Sequence, residues 1–469
     1  MSAYSPFAKE LTELTVHDLV ALAEAAEGWY LEYKAESPSS SSIAKSISAF
    51  ANTYGGWLFY GVREKSKEQP VAGDFPGIPR SEVDPLLQRM RQASANHVTP
   101  SPHFDFTVLW GPCEPIKLTE DRAVICIRVP WSPIAPHVHK DGRIYRRVSD
   151  GSEPKPESDR FVLDQLWRRA DDIRKEYERW IDKDPEFSEG EDETPYVRLL
   201  LVADLWNDRD PWLDVSLDEV RAILGASEGT ITAVPFDTVY TTSPGFIGRQ
   251  VRNNDPHNLG LTWHFRQNLR SEVLIPLNFH NIEDIRLTRV ALHGYGGAAE
   301  YEQTLVAHGY RTPRILDLNY LFNVLIGVVE IQRRLLKRAG WNDPYFCKAR
   351  LLNVWRMCPF LDVPAVLVRF REHGIPMCLN SVVTSPAGTD PGTFLEVPTF
   401  AQGPEELEEY HRVILQAIMI FGPIARAFGV PDWLDRNLAT DEPAYHEDLQ
   451  QAGRRAIKVQ EARIASSRK

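Results

Sequence analysis

The sequence predicts an α+β protein with an N-terminal mixed sheet flanked by helices and a larger mixed α/β C-terminal region. Short apolar runs of strand length, such as WLFYGV, alternate with amphipathic helical segments along the chain. An acidic stretch with few apolar residues, 181–195, separates the two regions. With 469 residues, the chain is long enough for two or three domains with sizeable cores.

The first elements of the N-terminal region follow from periodicity and capping. TVHDLVALAEAAEG predicts an amphipathic helix capped at Thr15. YLEYK alternates apolar with charged residues, which predicts a short strand with two different faces. SSSSIAKSISAFANTYGG predicts a second helix that ends at its pair of glycines. The nearly all-apolar run WLFYGV predicts a buried central strand.

The remaining elements are assigned from the same patterns. In the N-terminal region we expect a helix at SEVDPLLQRMRQASANH, strands at HFDFTVLW, AVICIRVP and GRIYRRV, and a long charged helix at SDRFVLDQLWRRADDIRKEYERWI. In the C-terminal region we expect strands at VRLLLVADLW, ITAVPFDTVYTT and SEVLIPLNF, and amphipathic helices at LNYLFNVLIGVVEIQRRLLKRAGW and PEELEEYHRVILQAIMIFGPIARAF.

Charge divides the chain. Residues 181–195 contain one lysine and seven acidic residues, which is half of the net charge of −12. We therefore predict an N-terminal domain at 1–180, an acidic linker at 181–195 and a C-terminal α/β sensor or regulatory region at 196–440. The polar segment 441–469 is expected to be a fraying helix or a disordered tail. The two large regions are nearly neutral, so composition neither reveals nor excludes a local basic face.

Cysteine usage and hydropathy bear on the cellular compartment. The five cysteines are scattered and form no CxxC pair, which argues against a disulfide scaffold and against a cysteine-based zinc site. The N-terminus lacks the apolar core of a signal peptide. No run approaches the roughly 18 apolar residues that a membrane helix needs. These features predict a cytoplasmic protein with no membrane partner.

Three carboxylates are the strongest candidates for chemistry. Glu27 precedes the first predicted strand, Glu32 lies within it, and Glu64 follows the buried strand. If these strands are neighbours, the three side chains meet at one end of the sheet, where their mutual repulsion favours a divalent cation. Oxygen ligands suit Mg²⁺ or Mn²⁺, which can activate water beside a phosphate. Lys34 shares the face of Glu32 and can balance phosphate charge. The alternative for each glutamate is a solvated surface group.

Basic residues supply candidate contacts to a phosphate backbone. On a strand, Arg143 and Arg147 would share one face and Arg146 the other, although a solvated edge strand with salt bridges explains these residues equally well. His137 and His139 lie in a proline-flanked loop that offers no matching metal ligands. The residues considered for RNA contact are Lys34, Arg63, Lys65, Lys140, Arg143, Arg146 and Arg147.

The N-terminal region resembles a known domain family. The segment EGWYLEYK, followed by SISAFANTYGGWLFYGVRE, is similar to the Schlafen AlbA-like domain, whose pattern is a Glu, then Glu-aromatic-Lys five residues on, then a helix with SAFANTxGG and a hydrophobic strand. The stretch PHVHKDGRIYRRVSDGS resembles the closing element of that domain. The resemblance covers about a third of the chain. The SISAFANTYGG block is the specific part of this match.

The resemblance implies a nuclease site. In RNA-cutting vertebrate Schlafens three acidic residues form the active site, and the pattern places them here at Glu27, Glu32 and Glu64. The chain departs from the family at the third position, where Glu replaces Asp, and at Arg63, which replaces an acidic residue. Vertebrate Schlafens enclose RNA in two related lobes, and this chain holds one, which implies a homodimer.

We therefore expect a metal-dependent endoribonuclease that cleaves structured RNA, with tRNA as the implied substrate. A single lobe fused to a sensor resembles a bacterial anti-phage effector, so a trigger ligand or phage factor at the C-terminal region is expected. The alternative is a non-catalytic regulator that binds nucleic acid or nucleotide through the same surface. Glu64 and Arg63, where the pattern departs, favour this alternative. An ATP-dependent switch is disfavoured because the chain lacks a Walker motif.

Overall fold

The computed structural model describes residues 4–9, 11–148, 153–206, 215–226, 230–232, 234–252, 255–400, 408–432, 438 and 440–467. The chain divides into two compact units, Met1–Glu176 and Tyr177–Lys469, called here the N-terminal unit and the C-terminal unit. Both units combine helices with mixed or antiparallel sheets, which confirms the predicted α+β class. In the part of the chain described, no helix has the length and apolar character to cross a membrane.

The N-terminal unit contains eleven described strands and most of three α-helices. The strands are β1 Leu31–Lys34, β2 Gly56–Tyr60, β3 Arg63–Glu64, β4 Ala72–Asp74, β5 Ile78–Pro79, β6 Val98–Thr99, β7 Asp105–Trp110, β8 Arg122–Val129, β9 Val138–His139, β10 Tyr145–Arg146 and β11 Lys155–Pro156. The helices are α1 Ser40–Asn52, α2 Arg80–His97 and α3 Arg160–Asp182. The boundary between the two units falls inside α3.

A five-stranded sheet organises the N-terminal unit. Its order is β1-β2-β8-β5, with β7 also paired to β8. β1 and β2 run parallel, with Leu31 opposite Trp57 and Lys34 opposite Tyr60, whereas β8 runs antiparallel to β2. Because side chains alternate along a strand, Trp57 and Phe59 face a core formed with the N-terminal segment. Leu58 and Tyr60 face the core formed with α1 and α2.

Several N-terminal elements differ from their predictions. The first helix is a 3-10 helix, Val16–Glu24, and ends before the predicted segment does. Asp18 accepts hydrogen bonds from the backbone N–H and the hydroxyl of Thr15, so the predicted start is confirmed. The strand predicted at GRIYRRV is reduced to β10, because the backbone N–H of Arg147 donates to the Thr53 hydroxyl rather than to a strand. Residues 149–152 of the predicted closing element lie outside the described residues.

The C-terminal unit is built on a larger antiparallel sheet, ordered β13-β14-β15-β16-β12-β19-β21 with β22 also on β19, and a three-stranded sheet, β17-β18-β20. The strands are β12 Tyr196–Val202, β13 Thr238–Thr242, β14 Gly245–Arg249, β15 Thr262–Arg266, β16 Arg270–Pro276, β17 Asn278–Asn281, β18 Arg314–Asp317, β19 Tyr345–Leu352, β20 Met357–Phe360, β21 Val383–Ser385 and β22 Leu395–Val397. The helices are α4 Leu217–Leu224, α5 Thr288–Ala291, α6 Ala298–Ala307, α7 Asn319–Arg338, α8 Pro364–His373, α9 Glu409–Ala427 and α10 Glu442–Ser467.

Helix α7 lies at the centre of the C-terminal core. Most of its side chains are buried, and it packs against α9 and α10. The predicted strand at ITAVPFDTVYTT begins only at Thr238, after Pro235, which cannot donate to a ladder. The predicted strand at SEVLIPLNF divides into β16 and β17, which belong to different sheets. Residues 404–407, the predicted start of α9, lie outside the described residues.

Two segments expected to be loosely held are packed. The acidic stretch 181–195 is bound to the C-terminal unit: Asp184 bonds Arg350 at 2.6 Å, and Glu191 is buried and accepts from the backbone N–H of Leu259. Its carboxylates compensate cations that the sheet half-buries, so it is not a free linker. Within the predicted tail, residues Glu442–Ser467 form α10, whose Leu449 and Ala452 are fully buried because an apolar stripe faces α7. All five cysteines are buried, and none forms a disulfide.

Candidate functional site

Glu64 is positioned by the way the chain leaves β2 and passes the end of β1. After β2, the backbone N–H groups of Gly61 and Val62 donate to the carbonyl of Lys34 at 2.7 and 3.2 Å. The chain therefore crosses the end of β1 before it enters β3, which carries Glu64. Gly61 has φ +91°, and a Cβ there would meet backbone atoms of Gly77 and Ala123, so the crossing requires glycine.

Glu27 is held between β1 and the β3–β4 hairpin. Its backbone N–H donates to Pro70 at 2.7 Å, and its carboxylate accepts from the backbone N–H of Tyr33. Burial raises the pKa of Glu27 to about 7, against the opposing effects of the Tyr33 N–H and the charge of Lys34. The charges of Glu32 and Glu64 raise this pKa further, so Glu27 lies within electrostatic range of each of the other two carboxylates.

Glu32 is fully buried between β1 and α1. One carboxylate oxygen accepts from the Ser46 hydroxyl at 2.8 Å and lies 3.0 Å from the Lys34 amine. The other oxygen accepts from Arg147 at 2.9 Å. Because Leu31 and Tyr33 face the opposite core, the alternation of β1 forces Glu32 inward toward α1. This position contradicts the alternative in which Glu32 is a solvated surface group.

Arg147 is the main cationic partner of this cluster, and it is also fully buried. Its guanidinium donates to the carbonyls of Gly28 at 2.6 Å and Leu31 at 3.1 Å, in addition to Glu32. The guanidinium also lies 4.8 Å from the centre of the Phe50 ring. An arginine bonded in this way has no surface to offer RNA, so the predicted RNA contact of Arg147 is wrong in this arrangement.

The described side chains do not fit the divalent ion that three carboxylates suggest. Lys34 and Arg147 already place two positive charges on Glu32, and a cation bound there would be repelled by both. Within the described ranges, no group of three or more His, Cys, Asp or Glu side chains is arranged to hold a metal ion. A divalent ion at all three glutamates would require Glu32 to release its present partners.

Comparison with known proteins identifies the N-terminal unit. Residues 27–156 match the family model described as Schlafen, AlbA_2. The matched segment begins at Glu27 and ends in β11. These residues form a Schlafen AlbA_2 domain. The family supports a function related to nucleic acid, and it includes nucleases.

No curated protein matches the chain. Among solved structures, the chain is similar to the crystal structure of the DIP2311 protein from Corynebacterium diphtheriae, with 15% identity and a TM-score of 0.19. The match covers 43% of this chain and 35% of that chain, so it spans about a third of the solved protein.

The other basic residues proposed for RNA contact are distributed around the AlbA_2 domain. Arg63, Lys65, Lys140 and Arg143 are exposed, whereas Arg146 is half-buried. Arg63 pairs with Asp74, and Arg146 pairs with Glu157 at 2.8 Å. Arg143 and Arg147 were expected to share a strand face, but one is exposed and the other buried, because both lie outside β10.

Asn52 and the two histidines have structural roles in the AlbA_2 domain. The Asn52 amide donates to the carbonyls of His137 and Tyr145, and its oxygen accepts from the backbone N–H of His137. His137 and His139 are buried, and their Nδ1 atoms lie near the Pro100 carbonyl and the Asp141 carboxylate respectively. Asn52 therefore holds the end of α1 against the segment that carries His137, and each histidine has a protein partner at Nδ1.

Two residues that hold the site were not singled out from the sequence. Ser46, which donates to Glu32, is the first residue of the specific block SISAFANTYGG, and that position was its only signal. Arg169 on α3 donates to the carbonyls of Ser132 at 3.0 Å and Asn52 at 3.3 Å, where α1 ends. Nothing in the charged pattern of α3 distinguishes Arg169 from its neighbouring arginines.

Proposed function

We propose that the AlbA_2 domain is an endoribonuclease that cuts structured RNA, with tRNA as the substrate class implied by the family resemblance. The observation that supports this proposal is the position of Glu27. It is half-buried within electrostatic range of two other carboxylates, and its pKa of about 7 lets it accept or donate a proton near neutral pH. An isolated surface glutamate would have no such property.

The residues around Glu27 supply the other requirements of phosphodiester cleavage. Lys34, whose side chain is 30% exposed, can place its positive charge against the scissile phosphate. Arg63 and Lys65 are exposed beside Glu64 on the adjoining strand and can hold the RNA backbone. In the reaction, Glu27 would take the proton of the attacking hydroxyl or water as that oxygen bonds to phosphorus. The bond from phosphorus to the leaving oxygen would break, and the leaving oxygen would take a proton from solvent water. Mn²⁺ or Mg²⁺ is the cofactor that the family resemblance implies, and its binding at Glu32 would require Lys34 and Arg147 to be displaced.

The test is incubation of the full chain with total tRNA and Mn²⁺, with and without EDTA. Wild-type protein should remove intact tRNA, and Glu27→Gln should not. Glu36→Gln, an exposed glutamate just after β1, is the matched control and should cut normally. Cutting that persists in EDTA but is lost in Glu27→Gln would keep the nuclease and remove the cofactor from the proposal. Intact tRNA in all samples would contradict the nuclease.

A non-catalytic RNA-binding module is the second candidate. The observation that favours it is the full burial of Glu32 and its pairing with Arg147, which withholds one of the three expected acidic residues from substrate. The two candidates differ in one assay. RNA that is retarded in a gel yet stays intact with free Mn²⁺ would support the binding module.

The assembly and regulation of the nuclease are further parts of the proposal. A homodimer would supply the second lobe of an RNA-binding horseshoe, and light scattering that finds only monomer would contradict it. The C-terminal unit would sense a trigger ligand or phage factor in an anti-phage response. Expression in bacteria challenged with phage, comparing wild-type protein with Glu27→Gln, tests this role.

A further inference from the structure

Four aromatic rings form a continuous cluster at the start of β1. Tyr4 stacks on Tyr30, with ring centres 5.3 Å apart and planes at 27°. Tyr30 lies 6.1 Å from Tyr54, which lies 5.6 Å from Trp29. These residues come from three separate segments. Tyr4 lies near the N-terminus, Trp29 and Tyr30 lie just before β1, and Tyr54 follows α1. The four rings are called here the aromatic cluster.

The aromatic cluster is accessible to solvent, whereas the aromatic side chains within β1 and β2 are not. Tyr4 is 40% exposed and Tyr54 is 36% exposed, while Trp29 and Tyr30 are partly exposed. By contrast, the four aromatic residues within these strands are buried in the two cores: Tyr33, Trp57, Phe59 and Tyr60. Aromatic area left open to solvent is not needed to complete either core, and large exposed apolar patches mark interaction sites.

The aromatic cluster is held rigidly. The indole N–H of Trp57 donates to the carbonyl of Tyr4 at 3.0 Å, which fixes the N-terminal segment on the sheet. Arg147 donates to the carbonyls of Gly28 and Leu31, the residues on either side of Trp29 and Tyr30. The rings are therefore positioned in advance, and a ligand that stacks on them loses little binding energy to ordering the protein.

The aromatic cluster is connected to Glu27 along the chain and to Glu32 through Arg147. Trp29 and Tyr30 follow Glu27 by two and three residues in the chain. Arg147 bonds both the segment that carries these rings and the carboxylate of Glu32. A chain of nucleotides whose phosphate lies at Glu27 would thus have its neighbouring bases within reach of these rings.

Positive charge lies near Tyr54 in the fold. The guanidinium of Arg169 donates to the carbonyl of Asn52, two residues before Tyr54, and lies 4.6 Å from the centre of the Trp131 ring. Arg146 is also within electrostatic range of Arg169. Aromatic rings interleaved with cations are the combination that binds single-stranded nucleic acid, where bases stack on rings and phosphates meet the cations.

We propose that Tyr4, Trp29, Tyr30 and Tyr54 form a stacking platform for unpaired bases of the RNA that is cut at Glu27. This proposal rests on the proposed nuclease function, and it names the substrate: a single-stranded or looped segment rather than a regular duplex. Stacking on π faces does not distinguish one base from another, so the platform selects unpaired structure and not sequence. Bases within a duplex already stack on each other and cannot reach these rings.

The test measures binding without cutting. Fluorescence anisotropy of a labelled oligouridylate, with EDTA present, reports affinity for single strands, and a blunt RNA duplex of equal length is the second probe. Wild-type protein should bind the single strand more tightly than the duplex. Tyr54→Leu should weaken single-strand binding about tenfold, which is the loss of one stacked base. Tyr54→Phe should bind normally, because stacking needs the ring and not the hydroxyl.

Controls separate stacking from folding. Trp167→Leu removes an aromatic residue that is 60% exposed on α3 and outside the aromatic cluster, and it should leave binding unchanged. Trp29→Leu is a second platform variant in case Tyr54→Leu lowers the melting temperature. Three results would overturn the platform. The platform variants could lose equal affinity for the single strand and the duplex, or both Tyr54→Leu and Trp29→Leu could bind the single strand normally. Trp167→Leu could also lose as much single-strand affinity as the platform variants.

The tRNA assay is scored independently. Normal cutting by wild-type protein with unchanged binding by the platform variants would overturn the platform and keep the nuclease. Single-strand binding that depends on the rings, without any cutting by wild-type protein, would overturn the nuclease and keep the platform as a binding site.

Discussion

The carboxylate of Glu32 and the guanidinium of Arg147, 115 residues apart in the chain, form an ion pair at 2.9 Å. Both side chains are completely buried. Two charges removed from water in this way depend on each other, because the loss of either leaves the other buried without compensation. The pair therefore joins β1 to the segment after β10 and fixes the turn that carries Glu27.

Removal of one member of this pair should destabilise the AlbA_2 domain strongly. We expect Arg147→Met to lower the free energy of unfolding by about 3–5 kcal/mol, because Glu32 would lose its main buried partner. The double variant Glu32→Gln with Arg147→Met should lose less than the sum of the single changes. Urea unfolding of the four proteins, followed by circular dichroism, measures this difference. Additive effects would show that the two side chains do not depend on each other.

The stability of the domain should depend on the charge of Glu27. Its pKa of about 7 in the folded protein is above the ordinary value of 4.5, so the folded state retains a proton that the unfolded chain has already released. The stability that this proton contributes is present below pH 4.5 and is lost as the pH rises to about 7.

Glu27→Gln removes this titration and keeps an oxygen that can accept from the Tyr33 N–H. Unfolding curves measured across the same pH range should show a smaller decline for Glu27→Gln than for wild-type protein. Glu36→Gln should follow the wild-type curve, since Glu36 is exposed. Parallel curves for wild-type protein and Glu27→Gln would contradict a raised pKa at Glu27.

Arg147 and a divalent cation should compete for Glu32. Arg147→Met removes a buried positive charge, so we expect it to bind Mn²⁺ about tenfold more tightly than wild-type protein. Electron paramagnetic resonance of free Mn²⁺ measures the affinity. Arg63→Met is the matched control, because it removes an exposed charge next to Glu64 and should have a much smaller effect. Weaker Mn²⁺ binding by Arg147→Met would show that the arginine supports a cation site instead.

The acidic stretch should behave as folded structure in a protease assay. Arg350 bonds Asp182 at 2.9 Å and Asp184 at 2.6 Å, which ties the start of the stretch to β19. We expect Arg350→Gln to increase cleavage by a glutamate-specific protease at residues 186–193 several-fold. Arg356→Gln, an exposed change in the same unit, should not. Rapid cleavage of the wild-type stretch would restore its interpretation as a linker.

The sequence pattern correctly predicted those elements in which all residues, or all residues of one face, have the same environment. The run WLFYGV has no charged side chain and is almost entirely apolar, so it predicts the buried strand β2. The stripe on α1 and the serines before it predict that helix and its start, since Ser39 accepts from the Ser42 N–H. The block SISAFANTYGG also predicted the AlbA_2 domain, because its residues reflect the local requirements of α1 and of the glycine turn that follows it.

Whether a single charged residue is buried or exposed depends on the tertiary structure. Arg143 and Arg147 belong to the same basic segment, yet Arg143 is exposed and Arg147 is buried. The reason is that Arg147 pairs with Glu32, which lies 115 residues away in the chain. The aromatic cluster likewise unites Tyr4, Trp29 and Tyr54 from three distant segments. Local periodicity determines which face of an element is apolar, whereas desolvation and charge pairing depend on which other segment covers that face. That partner is specified by the whole fold.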